Sequence, residues 1–290
     1  MLFNKTQSLV IVAAFLLLIG LYFLPSRVPF VKEGQAAAAQ DSIPLNGEAI
    51  ILEARKSLDS NQLKQLSALE TRKAQAPNIK EEIAVYQEFS KQWNDWGNFA
   101  AGGFYAEKVA ELQSTGEAWS IAGTTYGIAF RKATDERIQK FAGKTAIKCF
   151  EQAAKIEPDS VRHRINEATM YVDLSGVDRT IPPMTGAQKL LELDKAFPQN
   201  TTINFALANL SINRSGDFGK AAKRLETILT FPNLQTRDKI EAHYLLTECY
   251  KQLNQKDKVL LHFDEAIAAA NDEKEIRAQL QRAKAAYVQQ

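Results

Sequence analysis

The chain has 290 residues, 45% of them hydrophobic and 24% charged, ordinary proportions for a folded protein with room for one large or two small domains. Its formal net charge is only +2, so it lacks the basic field that steers nucleic acid, and no nucleic-acid partner is expected. Helix formers are abundant and alternating strand patterns nearly absent, which points to an all-α protein. Cys149 and Cys249 fall in well-separated helical patterns, too far apart for a disulfide, and read as small buried hydrophobes.

Residues 9–24, LVIVAAFLLLIGLYFL, carry no charge and, with Ser8, approach the length that crosses a bilayer. Tyr22 and Phe23 lie where interfacial aromatics belong. A cleaved signal peptide has a similar apolar core, but a small-residue cleavage site should follow at once. Here Pro25, Arg27, Pro29, Lys32 and Glu33 follow instead, and Ala36 to Ala39 come late. The pattern favours an uncleaved single-pass anchor over 8–24. Lys5 on one side, and Arg27 and Lys32 on the other, hardly discriminate orientation. A short N-terminal tail left in the cytoplasm would put the bulk of the chain outside, in the periplasm if the source is bacterial. Residues 25–47, broken by Pro25, Pro29, Gly34, Pro44 and Gly47, read as a flexible tether.

Residues 48–115 are helical in pattern. Ile50, Ile51, Ala54 and Leu58 form one stripe, and Leu63, Leu66, Leu69 and Lys73 the next. After Pro77-Asn78, Ile83, Tyr86, Trp93, Trp96 and Ala100 recur at helical spacing, a stripe expected to be core. Gly97, Gly102 and Gly103 interrupt it and allow a turn or a close helix contact.

From here a period emerges. Phe231-Pro232 falls 34 residues after Phe197-Pro198, Ala221 after Ala187, and Leu225 after Leu191. Residues 119–126, WSIAGTTY, followed by Ala146, Phe150, Ala153 and Pro158, match W-x2-L-G-x2-Y…A-x3-F…P with Ala122 in the Leu place. This resembles the tetratricopeptide repeat family. Small Gly123 and Ala146 would let helix backbones approach, Trp119, Tyr126 and Phe150 would fill the layer between them, and Pro158 would end the pair. Tyr126 to Ala146 is eleven residues longer than the family spacing, about three helical turns, so Ala133 to Glu136 reads as the tip of a lengthened hairpin. The second copy carries Ala168, Tyr171, Ala187 and Leu191, with seven extra residues in a Pro/Gly-rich loop over Ser175 to Gly186. The third has Phe205, Ala208, Asn209, Ile212, the turn Gly216-Asp217-Phe218, then Ala221, Leu225 and Ile228. The fourth has His243, Leu246, Thr247, Tyr250, Val259, Phe263 and Ala266. Residues 272–290 read as a capping helix started by Asp272 and Glu275 at capping-box spacing. In the same period, 82–115 read as a degenerate repeat, with Ala101 and Tyr105 in the A-x3-F places.

The resemblance implies a right-handed α-solenoid of antiparallel helix pairs behind the membrane helix, with four repeats over 116–271. It also implies a concave groove lined by first helices, onto which Thr124, Arg162, Ile165, Thr169, Asp173, Asn213, Arg214, Tyr244, Glu248 and Lys251 would face. Gly143-Lys144-Thr145 lacks the upstream Gly of a phosphate loop and reads as a helix start. His163, His243 and His262 show no zinc spacing with Cys249 or each other. No catalytic motif stands out. No cofactor, metal, small-molecule substrate or enzymatic activity is expected. The sequence therefore suggests a membrane-anchored, non-catalytic scaffold or adaptor whose partners are proteins, with the two insertions forming a partner-binding edge. The layout resembles bacterial anchored repeat proteins such as the ancillary translocon subunit that works with periplasmic chaperones. The alternatives are a chaperone-like or assembly factor that captures envelope clients and, last, an enzyme with an undisclosed site.

Overall fold

A computed structural model describes residues 45–289, and the expected anchor (8–24) and all but the last residues of the tether lie outside them. Those last residues already belong to the fold. Leu45 packs on the core, the Asn46 side chain accepts from Ala49 N, and Gly47 opens the first helix.

The described residues form thirteen α-helices and no strand: α1 (Gly47–Arg55), α2 (Ser60–Ala74), α3 (Ile79–Asp95), α4 (Phe99–Gln113), α5 (Gly116–Lys132), α6 (Glu136–Ile156), α7 (Val161–Leu174), α8 (Thr185–Ala196), α9 (Thr201–Leu210), α10 (Phe218–Leu229), α11 (Thr236–Gln252), α12 (Lys256–Ala269) and α13 (Lys274–Val288). Helix starts are written locally. Asn46, Asp59, Asn78, Asn98, Thr115 and Asp135 each satisfy a first-turn N–H of α1 to α6, and Asp59 with Gln62 completes a capping box. Stops are equally local. Gly97 and Gly216 take up left-handed φ of 78° and 63°, which only glycine adopts without strain.

From α2 to α13 each helix packs on the next in sequence, and α1 returns to α4. The result is a linear array of antiparallel pairs, α3/α4, α5/α6, α7/α8, α9/α10 and α11/α12, with α13 packed against α12. The core is correspondingly a chain of local clusters. One runs from Ile50 to Leu174, a second joins Ile165, Val172, Leu190 and Ile203, and a third runs from Phe205 to Phe263. Such an array has only nearest-neighbour interfaces, the arrangement of helical-repeat proteins.

Crossings between neighbouring helices set a small residue against a large one. A Cβ on Gly103 would lie 2.7 Å from the Tyr126 ring, one on Gly123 2.7 Å from Phe150, and one on Gly143 2.8 Å from Leu174. At Gly186 the approach is backbone to backbone, with Ala168 O and Val172 N both 2.5 Å from such a Cβ.

Several sequence expectations shift in phase. The buried stripe of α3 is Val85, Phe89 and Trp93, with Ile83 and Tyr86 half-buried on its flank. Trp96 caps α3, and Ala100 belongs to α4. Leu63 and Leu191 are exposed, while Leu66, Leu190 and Leu193 carry the burial. Gly143-Lys144-Thr145 sits in the middle of α6 rather than at a helix start, because Gly143 is needed where α6 crosses Leu174. Asp272 does not cap α13; Glu273 occupies the N-cap and makes no side-chain cap hydrogen bond. The third pair contains a π-helical turn, Ser211–Ser215, between α9 and Gly216.

Two glycines separate close packing from mere flexibility. Gly186→Ala should lower unfolding free energy by about 1–3 kcal/mol, because backbone cannot retreat from the new methyl. Gly219→Ala, whose Cβ would meet nothing nearer than 3.7 Å, should be neutral or stabilising by up to about 1 kcal/mol. Urea unfolding followed by helical circular dichroism checks both.

Candidate functional site

The first helices of the pairs, α3, α5, α7, α9 and α11, together with α13, present the face on which a groove was expected. Between α5 and α7 that face is laced by charge. Arg162 of α7 pairs with Glu117 near one end, and Arg131 Nη1 lies 4.0 Å from Asp173 Oδ2 near the other. Arg214, at the end of the third pair's first helix, reaches back and donates from Nη2 to Val172 O (2.7 Å) and Asp173 O (3.1 Å). It thereby adds a donor to the last-turn carbonyls of α7, which also accept from Ser175 Oγ and Gly176 N. Burial pushes the Asp173 carboxyl up, and the guanidinium groups of Arg131 and Arg214 pull it partly back.

Two recesses open beyond this laced stretch. One of about 320 Å³ lies between α3 and α5 with α4 as floor. It is lined by Gln87, Ser90, Asn94, Gln113, Ile121 and Thr125 among others. Ile121 is 53% exposed in it. The other, about 650 Å³, lies between α11 and α13. Ile240, Tyr244, Ile276, Leu280 and Ala283 make it apolar, and Arg237, Glu241 and Gln279 supply its polar groups. Burial, followed by the Asp238 charge, raises the Glu241 carboxyl. Arg237 is held by Glu273 at 3.2 Å.

The sequence-derived groove residues divide accordingly. Tyr244 is 41% exposed and lines the larger recess. Asp173 and Arg214 are brought together, and Arg162 is taken by Glu117. Glu248 pairs with Lys251 at 2.8 Å, and the Lys251 ammonium sits over the rings of Phe263 (5.1 Å) and Tyr287 (5.5 Å), fastening α13 to the hairpin. Thr124 is exposed and donates its hydroxyl to Ser120 O, Thr169 is half-buried, and Asn213 is exposed in the π turn. Ile165 does not face a groove. It is 4% exposed in the cluster with Val172, Leu190 and Ile203, because α7 turns that side toward α8 and α9.

The repeat-signature residues lie at helix crossings. Tyr126 is fully buried and donates to Glu107 Oε2 (2.8 Å); burial raises both its hydroxyl and the Glu107 carboxyl. Ala146, Phe150, Ala187, Ala221, Tyr250, Phe263 and Ala266 are buried, Trp119 and Tyr171 half-buried, and Gly123 lies against Phe150. Pro158 is exposed just past α6. Both thiols are buried and free, with burial pushing the Cys249 thiol up to about 11. Among the described residues no group of three or more His, Cys, Asp or Glu side chains could hold a metal ion, and no helix is long and apolar enough to cross a membrane.

The α7–α8 loop is anchored to the array at its start, while Arg179, Thr180 and Pro182 to Met184 are exposed. Val177 and Ile181 pack on the core. Asp178 is 3% exposed, accepts from Thr180 N (2.9 Å) and Thr180 Oγ1 (2.7 Å), and forms an ion pair with Lys144 of α6 at 2.7 Å. The Lys144 ammonium and the Thr180 donors hold its carboxyl down at about 2. Sequence reasoning missed this anchor because spacing along the chain does not show that a loop folds back. It also missed His243 and His262, whose Nδ1 atoms stand 3.0 Å apart. Spacing alone did not mark the pair, since His243 lies ten residues before the α11–α12 turn and His262 only seven after it.

Asp178→Ala should destabilise the fold by about 1–3 kcal/mol by stranding the loop's buried polar groups. The depressed carboxyl contributes stability that is complete above pH ~4 and is lost as pH falls from there toward its folded value of about 2. Asp178→Asn should lack that part of the acid loss, which chemical denaturation at stepped pH would show.

No protein family and no curated protein matches the chain. Solved structures of similar arrangement include TTC0263, a thermophilic TPR protein of Thermus thermophilus, at 16% identity over 69% of this chain and 98% of that one, with a TM-score of 0.48. MamA is similar at 14% identity over 67% and 94%, with a TM-score of 0.38. A tetratricopeptide repeat protein of Parabacteroides merdae is similar at 12% over 81% and 97%, with a TM-score of 0.37.

Proposed function

We propose that this protein is a non-catalytic scaffold that holds a protein partner on the first-helix face of its array. The observation that carries this reading is the recess between α11 and α13, about 650 Å³ with an apolar floor of Ile240, Ile276 and Leu280 and an exposed tyrosine at its side. Apolar pockets with a few polar groups are where proteins bind. Exposed tyrosine suits such a surface because it brings apolar area and a polar tip together. The second recess, lined by amide and hydroxyl side chains, suits main-chain groups of an extended segment.

The apolar stretch over 8–24 supports placing this scaffold at a membrane as a single-pass protein, with the helical array outside the cytoplasm and the tether giving it reach. The chaperone-like reading is less well supported, because capture of many clients favours adaptable Met-rich surfaces and the chain has three methionines.

A photo-crosslinking residue placed at Tyr244 or Gln279 should trap a discrete partner in intact cells. The same residue at Leu261, 53% exposed on α12, should not. Tyr244→Arg should abolish the adduct formed from position 279 without changing unfolding free energy by more than about 0.5 kcal/mol. Equal adducts from Leu261 would dismiss the assigned face. Proteolysis of intact spheroplasts checks the topology: the array should be digested before the inner membrane is lysed.

A further inference from the structure

Behind the α11–α13 recess, α11 is joined to α12 by two imidazoles. His243 is half-buried and His262 is 8% exposed. Their ring centroids are 5.3 Å apart and their Nδ1 atoms 3.0 Å. The centroids are thus 2.3 Å farther apart than the nitrogens, about two ring radii, so the two nitrogens meet head-on. One Nδ1–H must donate to the lone pair of the other. A metal held by both would need a nitrogen at about 2.0–2.1 Å on either side, which head-on rings 3.0 Å apart do not allow.

This geometry accepts a limited number of protons. With no added proton, one ring donates and the other accepts. With one, an imidazolium donates to a neutral ring and the bond survives. With two, a pair of Nδ1–H groups face each other and the bond is lost. We propose that His243 and His262 form an acid-sensitive clasp that holds no more than one added proton while α11 and α12 stay paired, so that doubly protonating the pair opens the C-terminal hairpin.

The surroundings do not offset a second charge. From α11 itself, Lys239 acts against protonation of His243. From α12, Lys258 acts against His262, while Glu265 favours protonation of both rings. From α10, Glu226 favours protonation of His262, but its carboxylate already accepts from the Tyr250 hydroxyl. From α13, Lys284 is taken by Asp264. The Tyr250 ring lies parallel to His262, with centroids 5.5 Å apart and planes at 3°. Burial is the largest cause lowering both histidines, followed for His243 by the charge of His262. In the unfolded hairpin both rings titrate near pH ~6.5. The open state therefore binds more protons below that value. The clasp's stabilisation is complete above pH ~6.5 and falls as pH drops through the depressed folded range.

Hydrogen exchange of the full chain between about pH 7 and 5, corrected for intrinsic rates, tests this without needing a partner. Opening of the α11–α12 amides should increase about tenfold per pH unit below about pH 6 for each excess proton. Amides of α5 and α6 should change far less. His243→Gln and His262→Gln should each flatten the α11–α12 dependence, even if each variant starts from a lower stability. A flat wild-type response, or the same slope in wild type and both variants, overturns the clasp. Should the buried His262→Gln not fold, His243→Gln and nitrogen NMR of the wild-type rings decide. Two unequal protonation steps are expected, and two independent titrations near pH ~6.5 overturn the proposal. Failure of the crosslinking at Tyr244 would leave this outcome unaffected.

Discussion

Close approach of neighbouring helices is the constraint on which the array depends. Apart from α1, which returns to α4, each helix buries mainly against its chain neighbours, so each crossing must be deep. Gly103 under Tyr126, Gly123 under Phe150, Gly143 under Leu174 and Gly186 under the α7 backbone make it so from α4 to α8. In a globular core a poorly packed contact can be shared among many partners. In an array of nearest-neighbour interfaces it cannot. Small residues are therefore placed by geometry, and the large buried side chains Trp93, Tyr126, Phe89 and Phe263 fill what the close crossings leave.

The same economy explains the first-helix face. Long side chains bridge successive first helices, as Arg162, Arg131 and Arg214 do across α5, α7 and the end of the third pair. At α3/α5 and α11/α13 recesses open between the helices. Polar groups on the face are mostly engaged by neighbours, so the apolar floor at the C-terminal end is the feature that distinguishes one stretch from another. The histidine pair joins the helix that carries Tyr244 to α12.

Helix existence, order and turn positions were legible because caps and glycines are local signals: Asn78 and Gly216 each mark a boundary with their own backbone chemistry. The small-on-large positions Gly123, Ala146 and Phe150 were legible because the repeat pattern encodes a crossing. Rotational phase was less so. Leu191 matched Leu225 by period, and Ala187 is buried as that period predicts, yet Leu190 and Leu193 rather than Leu191 are the inward leucines of α8. In α3 the aromatic spacing drew attention to Tyr86 and away from Val85 and Phe89, since apolar residues occur on both sides of that stripe. The groove residues were the least legible. Exposure on a helix can be read from periodicity, but whether an exposed arginine is engaged by the next helix depends on a distance that the sequence does not carry.

The guanidinium bridges have a mechanical consequence. Arg162, Arg131 and Arg214 span joints of the array as cross-ties, and at α11/α13 the Arg237–Glu273 pair and Lys251 over Tyr287 tie the two helices beside the recess. Such ties join helices that are not neighbours in the chain, so a displacement of α7 is passed to α5 and to the third pair as well as to its own hairpin partner.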